Sequence, residues 1–430
     1  MRQYLFVCTL LVCFGLISAS AQESGLTKKE KISRIRSDAK RDSQAIPILA
    51  GYLKDSDVEV RDEAVKAIVN IGTQHSLDPL IQATHDNDPG VQIRAVDGLV
   101  NFYLPGYVTR GGVTHTFTRV SKRIKDALTT GNQQVVGPSV SARPDVIRAI
   151  AELITGGASI DSRSEAARAA GILRGRAALP ELEKALQSKD SGLILESLFA
   201  IQKLRDTSAG PSVAVLVNDF DTDVQTTALE TLGILHNTDA AGAIRQIVSR
   251  PRNEKVRRAA LQALAMFALP EDRSTFESYK DGKDEVLRAS ALEGLGRVRD
   301  PDDIAALQTA YDNERNLKAR LAAAFGIVNE GKTEISSYSP LQYLVNGLDS
   351  SKANSISQAY LLELSRRPAV RKALLPILPN ATKEEKLGLI HALAPSADAE
   401  TTAALRALTK DPDSDVSIAA ARSEALRPKH

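Results

Sequence analysis

Residues 256–264 read VRRAALQAL, and this stretch decides the fold. An apolar residue opens it, alanine follows four positions later, and leucine follows after four more. These spacings place the three side chains on one face of an α-helix, and the small alanine allows a second helix to approach closely. The pattern recurs as VRDEAVKAI at 60–68, VQTTALETL at 224–232, LRASALEGL at 287–295 and LKARLAAAF at 317–325. The chain therefore repeats one amphipathic helix.

Weaker copies of the pattern begin at Val91, Ser162, Leu193, Glu385 and Val416, and a degenerate copy lies near Ser355. Where nothing is inserted, the copies are about 31 residues apart, which indicates a repeat architecture. Another amphipathic stretch precedes the copies by about 15 residues, at 46–53, 179–186, 243–248, 304–311 and 402–408. Each unit is thus predicted to contain two helices.

Turn residues separate the two helices of a unit. Proline with Asp or Asn occurs at 88–90, 250–253 and 411–413, where one helix must stop and the next must be capped. A lone helix hairpin cannot bury its own apolar face, so successive hairpins must stack and share a core. The sequence therefore predicts an all-α chain of roughly 11 stacked hairpins.

These features resemble HEAT-repeat proteins, of the short bacterial type similar to PBS-lyase HEAT-like repeats, over nearly all of Ser43 to Leu426. The resemblance implies a right-handed α-α solenoid, on the order of 100 Å along its arc, with a concave surface lined by second helices. In that family an Asp in the turn and an Arg six residues later form a ladder between units. The corresponding pairs are Asp55 with Arg61, Asp312 with Lys318, and Asp219 with Gln225.

The composition agrees with closely packed helices. Hydrophobic residues make up 43% of the chain, aromatic residues only 4%, and tryptophan is absent, so small aliphatic side chains must supply the core. The 55 basic and 53 acidic residues give a net charge of +2, which shows no overall bias toward polyanions. Cations on the second helices, such as Arg257 and Arg288, alternate with acids such as Glu230 and Glu293, whereas counterion release from nucleic acid needs clustered cations.

Residues 1–21 have the features of a secretory signal peptide. Arg2 is followed by an apolar run from Tyr4 to Ile17, and residues 19–21 form an A-x-A cleavage site. The run is shorter than the roughly 20 residues that a membrane-spanning helix needs. We therefore expect an exported protein, periplasmic or secreted, with an N-terminal helix or cap at 22–42 and the repeat solenoid at 43–430.

Both cysteines, Cys8 and Cys13, lie inside this apolar run. Cleavage would leave a chain without a thiol, which excludes disulfides and Cys-metal sites from the mature protein. Val12 stands before Cys13, where a bacterial lipobox has a small residue, and this argues against lipid attachment.

One segment, at about 102–142, breaks the repeat period, and we refer to it as the insertion. Val and Thr residues flank Gly111-Gly112, which predicts a β-hairpin near 107–117. Residues 102–125 contain aromatic and basic side chains with no acidic residue. The insertion is either a recognition element or a plug over exposed core, because insertions in repeat arrays map to one face. The candidate binding residues are Phe102, Tyr103, Tyr107, Arg110, His115, Phe117, Arg119, Lys122, Arg123 and Lys125.

Signals for catalysis are weak. Residues 326–333 read GIVNEGKT and match the phosphate-binding loop pattern, but that loop needs a preceding strand, and here the upstream residues are helical by register. The six histidines are scattered without the spacing of a metal site. We therefore expect no cofactor, no metal and no enzymatic activity.

The sequence favours a non-enzymatic protein–protein interaction scaffold or adaptor of the bacterial cell envelope, with its partner on the concave face and on residues 102–125 of the insertion. One alternative is an envelope enzyme or enzyme subunit, with Tyr107, Arg110 and His115 binding an anionic substrate. Another is a polyanion-binding solenoid, whose affinity would fall steeply with salt.

Overall fold

The computed structural model describes residues 25–107, 134–137, 140–396 and 398–425. These residues form helices, turns and loops, and none of them is in a strand. The predicted signal peptide at 1–21 lies outside the described residues. So does the β-hairpin predicted near 107–117, apart from Tyr107, which lies in a bend. The chain divides into two compact units, residues 1–212 and residues 213–430.

Unit 1 begins with helix α1 (Lys28–Asp38), which lies inside the segment predicted as a cap and packs on the first of the second helices. Four hairpins follow among the described residues of this unit. Their first helices are Ile46–Gly51, Leu77–Ala83, Pro144–Gly156 and Leu179–Ala185 (α2, α4, α6, α8). Their second helices are Val58–Ile71, Pro89–Tyr103, Ile160–Ile172 and Ser191–Leu204 (α3, α5, α7, α9), and each packs on the next.

Unit 2 repeats this arrangement, and the unit boundary falls within the short helix α10 (Gly210–Ala214). The later first helices are Ala241–Ser249, Arg273–Tyr279, Ile304–Asn313, Pro340–Asn346, Pro368–Leu374 and Ala399–Ala407 (α12, α14, α16, α18, α20, α22). The second helices are Thr222–Leu235, Glu254–Phe267, Glu285–Val298, Leu317–Asn329, Asn354–Leu364, Lys383–Leu393 and Ser414–Ala425 (α11, α13, α15, α17, α19, α21, α23). Successive second helices again pack together.

Side-chain caps explain why the second helices begin where they do. Asp88 accepts hydrogen bonds from the backbone N–H groups of Gly90 and Val91 at the start of α5. Asn253 caps α13 in the same way through the N–H of Val256. Such caps satisfy backbone donors that have no partner inside the helix. The turns predicted at 88–90 and 250–253 are therefore confirmed.

The ends of five second helices are left-handed without glycine. Arg174, Arg205, His236, Ala268 and Arg299 have φ between 51° and 61°, as does Gly72 (φ 60°) after α3. A side chain in this conformation costs local energy because Cβ crowds the next carbonyl. The glycine of the repeat pattern has a different role, since Gly326 lies inside α17 and Gly331 forms the turn after it. The pattern at 326–333 is thus a helix and its terminal turn, as the helical register predicted.

The ladder between hairpins differs from the predicted one. Arg61 donates from Nη1 to the backbone oxygen of Asp55 (2.9 Å), while its Nε binds the carboxylate of Asp86 in the next hairpin (2.7 Å). Arg288 likewise bonds to the carbonyl of Gly282 (2.8 Å) and to Glu314 (2.9 Å). The Arg thus links its own turn's carbonyl to the carboxylate of the following turn.

Two of the predicted ladder pairs do not form. Gln225 donates to the carbonyl of Val217 (2.6 Å), and the carboxylate of Asp219 caps the N–H of Asp221 instead. Asp312 accepts a hydrogen bond from Gln308, which lies one turn earlier on its own helix. Glu314 occupies the acidic ladder position in that hairpin, because it accepts Arg288.

Gly296 allows α15 and α17 to touch through their backbones. A Cβ atom added at Gly296 would lie 2.4 Å from Cα of Gly326, a contact that neither helix can relieve by changing a rotamer. We expect Gly296→Ala to lower the free energy of unfolding by about 1–3 kcal/mol. Denaturant titration of the helical circular dichroism signal measures the change.

Gly242→Ala is the matched control, because Gly242 is exposed inside α12 and nothing lies within 4 Å of a Cβ added there. This variant should be slightly more stable than the unaltered chain, since alanine is the better helix former. Equal effects of the two substitutions would contradict the close backbone contact.

Candidate functional site

Phe102 and Tyr103 occupy the last turn of α5, where the insertion begins. Their rings meet edge to face, with centroids 4.9 Å apart. The hydroxyl of Tyr103 accepts a hydrogen bond from the backbone N–H of Arg143 (3.0 Å), just before α6. Arg143 forms ion pairs with Asp78 and Asp145. These two predicted binding residues therefore anchor the place where the insertion rejoins the hairpins.

Tyr107, in contrast, packs against α7, the second helix of the following hairpin. Its hydroxyl donates a hydrogen bond to Oε1 of Glu165 on α7 (2.7 Å), and the guanidinium of Arg168 lies 5.6 Å from its ring centroid. Burial, and then the neighbouring Glu165 carboxylate, hold the pKa of Tyr107 well above its usual value. The Tyr107 hydroxyl therefore keeps its proton at neutral pH and donates it in the hydrogen bond to Glu165.

Two side chains of α9 extend this group of residues. Glu196 occupies the place in its copy that Glu165 occupies in the preceding one, and the charges of Glu196 and Arg168 both act on Lys203. Gly171 brings α7 and α9 together, since an added Cβ would lie 2.7 Å from Cα of Ala200. We call Tyr107, Glu165, Arg168, Glu196 and Lys203 the Tyr107 cluster.

The Tyr107 cluster is polar but incompletely hydrogen-bonded. Nη1 of Arg168 is buried and lies 4.0 Å from Oε2 of Glu165, and no described residue accepts a hydrogen bond from it. The ammonium of Lys203 makes no hydrogen bond or ion pair to any described residue. Burial, reinforced by Arg168, lowers the pKa of Lys203 to about 8 against the opposing effect of Glu196. These two cations can donate hydrogen bonds to a further anionic or carbonyl group.

One residue near each end of the insertion forms a hydrogen bond with α7. Tyr107 binds Glu165 in the first half of the helix, and the N–H of Val136 donates to the carbonyl of Ile172 at its end (2.9 Å). Val136 is buried. The other predicted binding residues lie outside the described part of the chain, and these are Arg110, His115, Phe117, Arg119, Lys122, Arg123 and Lys125.

Sequence reasoning did not select Arg168, Glu196 or Lys203. The available signal was positional, because residues 165 and 196 occupy the same place in successive copies. That place follows the first residue of each copy, Ser162 or Leu193, by three positions. A helix presents such a position beside the packed face rather than on it. Comparing copies position by position would therefore have drawn attention to Glu165 and Glu196, whereas Arg168 and Lys203 occupy different places in their copies.

A second polar cluster, the Arg297 cluster, lies on the second helices of unit 2. Arg297 on α15 donates to Glu293 on the same helix (2.9 Å) and to Glu363 on α19 (2.6 Å). Its guanidinium lies 5.0 Å from the ring centroid of Phe325 on α17, and the Phe325 ring stacks on Tyr360 at 4.5 Å. The hydroxyl of Tyr360 donates to Glu293 (2.9 Å). Every charge of this cluster has a partner, which is typical of a cluster that stabilises helix packing.

Neither cluster resembles a metal centre. Across the described ranges, no group of three or more His, Asp or Glu side chains could hold a metal ion. No helix within those ranges is both long and apolar enough to cross a bilayer.

Lys203→Met tests whether the partly buried positive charge of Lys203 destabilises the folded protein. The pKa of Lys203 is lowered on folding, so the charged amine opposes folding fully below about pH 8. This penalty fades as the pH rises toward the unfolded value near 10.5. We expect the variant to be more stable by about 3 kcal/mol at pH 7 and indistinguishable near pH 10.5. Denaturation midpoints across this pH range measure the difference, and an offset independent of pH would contradict the expectation.

A protein family and several solved structures are similar to this chain. A family model described as HEAT repeats matches residues 29–100 and 209–296. No curated protein matches the chain significantly. Among solved structures, the CpcE–CpcF complex of phycocyanin lyase from Nostoc sp. PCC7120 is 19% identical, with 70% of this chain and 92% of that chain covered and a TM-score of 0.33.

Two further structures are similar at the same level. YibA of E. coli is 13% identical, with 71% of this chain and 98% of that chain covered and a TM-score of 0.41. Human deoxyhypusine hydroxylase is 20% identical, with 66% and 96% covered and a TM-score of 0.28. The HEAT-repeat model thus matches residues 29–100 in unit 1 and residues 209–296, nearly all of which belong to unit 2.

Proposed function

We propose that this protein is a non-enzymatic interaction scaffold of the bacterial cell envelope. Its partner is a protein that binds the second helices of unit 1 at the Tyr107 cluster, together with residues 102–125 of the insertion. The observation that carries the proposal concerns two neighbouring cations. Nη1 of Arg168, the side chain beside Tyr107, is buried and donates to no described residue, and the charge of Arg168 acts on the ammonium of Lys203.

The chemistry of this pair favours binding over catalysis. A buried donor without an acceptor is costly, and a partner's carboxylate or carbonyl oxygen would remove that cost on binding. Tyr107 and Glu165 hold Arg168 from two sides, so little side-chain freedom is lost when a partner binds. Arginine and tyrosine are also the residues most often found at energetically important positions of protein interfaces.

The repeat architecture supports the same reading. HEAT repeats generally mediate protein–protein interaction, and stacked hairpins offer long surfaces that small domains lack. Export through residues 1–21, a right-handed array of roughly 11 hairpins, and the absence of cofactor, metal and nucleic acid all belong to this proposal.

The experiment compares partners captured from envelope extract by the unaltered chain and by Arg168→Ala/Lys203→Ala, with quantification by mass spectrometry. We expect a specific protein partner to be lost from the double variant. The matched control is Arg176→Ala/Lys189→Ala, which removes two exposed cations of the same unit that form no ion pair with described residues. Equal capture by both double variants would overturn the proposed site.

A second variant separates the cluster from the insertion. Residues 108–133 are replaced by a Gly-Ser loop, which leaves Tyr107 and Val136 in place. Loss of the partner here would make the insertion a recognition element. Retention would restrict the site to the second helices and favour the plug.

A further inference from the structure

Two large apolar side chains are exposed near the start of α11 in unit 2, Val215 in the short helix Val215–Asn218 and Phe220 in the turn that follows it. Phe220 is 91% exposed and Val215 is 72% exposed. Both flank the exposed Asn218, at the end of the first helix of that hairpin. Water contact with a phenyl ring and an isopropyl group is unfavourable, and it can be relieved only by covering them.

Arg252, in the turn of the next hairpin, fixes the position of Phe220. Its guanidinium lies 5.4 Å from the ring centroid, and its Nη1 donates to the carbonyls of Phe220 (2.6 Å) and Asp219 (3.1 Å). The cation and the ring attract each other, and the two backbone bonds hold the guanidinium in place. The apolar ring and a positive charge are therefore presented side by side.

These two turns border an open cleft of about 650 Å³, the turn cleft. Its lining includes Asn218 from one hairpin and Arg245, Gln246 and Arg250 from the next, and no acidic residue lines it. Arg245 is neutralised by Asp272 (2.5 Å) and Glu271 (3.1 Å). Arg250 and Arg252 are exposed, and neither forms an ion pair with a described residue.

Asn218, Gln246 and Arg250 line the turn cleft, and the exposed side chains of Phe220 and Arg252 lie two residues farther along the two bordering turns. Acidic side chains alone would leave Phe220 uncovered, and apolar side chains alone would leave Arg250 and Arg252 without a carboxylate partner. We propose that the turn cleft binds an extended acidic segment of a partner protein in which carboxylates alternate with large apolar side chains. The carboxylates pair with Arg250 and Arg252, and an apolar side chain packs on Phe220. This inference is independent of the site proposed in unit 1.

The test uses fluorescence anisotropy with the full chain. The probe is a short fluorescein-labelled peptide in which glutamate alternates with leucine. Two comparison peptides replace the glutamates by lysine or the leucines by alanine. We expect the Glu-Leu peptide to bind saturably, and each comparison peptide to bind at least about tenfold more weakly.

Variants of the chain localise the binding. Phe220→Ala should weaken the Glu-Leu peptide by about fivefold or more, and Arg250→Glu/Arg252→Glu by about tenfold or more. Tyr338→Ala and Arg315→Ala are the controls, since Tyr338 is 90% exposed and Arg315 is exposed, and both lie in other turns of unit 2. These controls should bind like the unaltered chain. Arg168→Ala/Lys203→Ala should also bind normally, which separates this site from the one in unit 1.

Three results would overturn the inference. The first is a Glu-Leu peptide that binds no more tightly than its lysine counterpart. The second is undiminished affinity of Phe220→Ala and of Arg250→Glu/Arg252→Glu. The third is a labelled oligothymidylate that binds as tightly as the peptide and is weakened by the same variants, because the cleft would then recognise polyanions in general.

Discussion

Phe325→Ala should lower the free energy of unfolding by roughly 3–5 kcal/mol. Phe325 is completely buried, and it is among the largest side chains with no solvent contact. Truncation would remove its packing contacts and leave a cavity that the surrounding helices can close only in part. It would also remove the ring that stacks on Tyr360 and lies under the guanidinium of Arg297.

Chemical denaturation followed by circular dichroism measures this loss. Phe220→Ala is the matched control, because it deletes the same ring from a position that is 91% exposed. We expect the control to change stability by no more than about 0.5 kcal/mol. If Phe325→Ala and the control have the same free energy of unfolding, α15, α17 and α19 do not pack around Phe325 as described.

Leu264→Ala should cost roughly 2–5 kcal/mol. Leu264 closes the stretch at 256–264, and it is fully buried on α13. Its side chain lies on the face that α13 shares with its neighbours, so truncation removes contacts from more than one hairpin. The same denaturation measurement applies.

Gln262→Ala provides the control for the helix register. Gln262 lies two positions before Leu264 on the same helix and is exposed. Alanine is a good helix former, so this change should be nearly neutral. If the two variants were equally stable, the apolar face of the repeat would have been placed on the wrong side of the helix.

The hairpins could be predicted because their signal is local. The predicted first helices at 243–248 and 304–311 lie within Ala241–Ser249 and Ile304–Asn313. The pattern copies at 224–232 and 256–264 lie within α11 and α13. A spacing of four within one copy is enough to define a helix face, and Asx residues next to proline mark where it begins.

The ladder could be predicted only in part because its partners belong to different hairpins. The pairing of Arg61 with Asp55 was right in position but wrong in chemistry, since Arg61 bonds to the carbonyl of Asp55 and not to its carboxylate. The carboxylate partner, Asp86, lies 25 residues later. A carbonyl is present at every residue, so composition at the turn could not reveal this contact.

The contacts of the candidate site were still harder to predict from the sequence. Tyr107 was selected because aromatic residues are rare in this chain, yet its hydroxyl binds Glu165, 58 residues away. Phe102 and Tyr103 came from the same sequence cluster, and they contact the return of the insertion instead. Which neighbour a side chain meets after an insertion depends on how the hairpins stack, and no local pattern encodes that.

We expect the left-handed helix ends to make the stability of this chain depend on ionic strength. Arg174, Arg205 and Arg299 adopt a backbone conformation that glycine would accept without strain. Their positive charges stand at the carboxyl ends of helices, where they offset the negative end of the helix dipole. Dissolved salt screens that compensation and leaves the strain untouched. Low ionic strength therefore favours arginine at these three helix ends, whereas high ionic strength would favour glycine. We expect a homologue from a saline habitat to have glycine in place of these arginines.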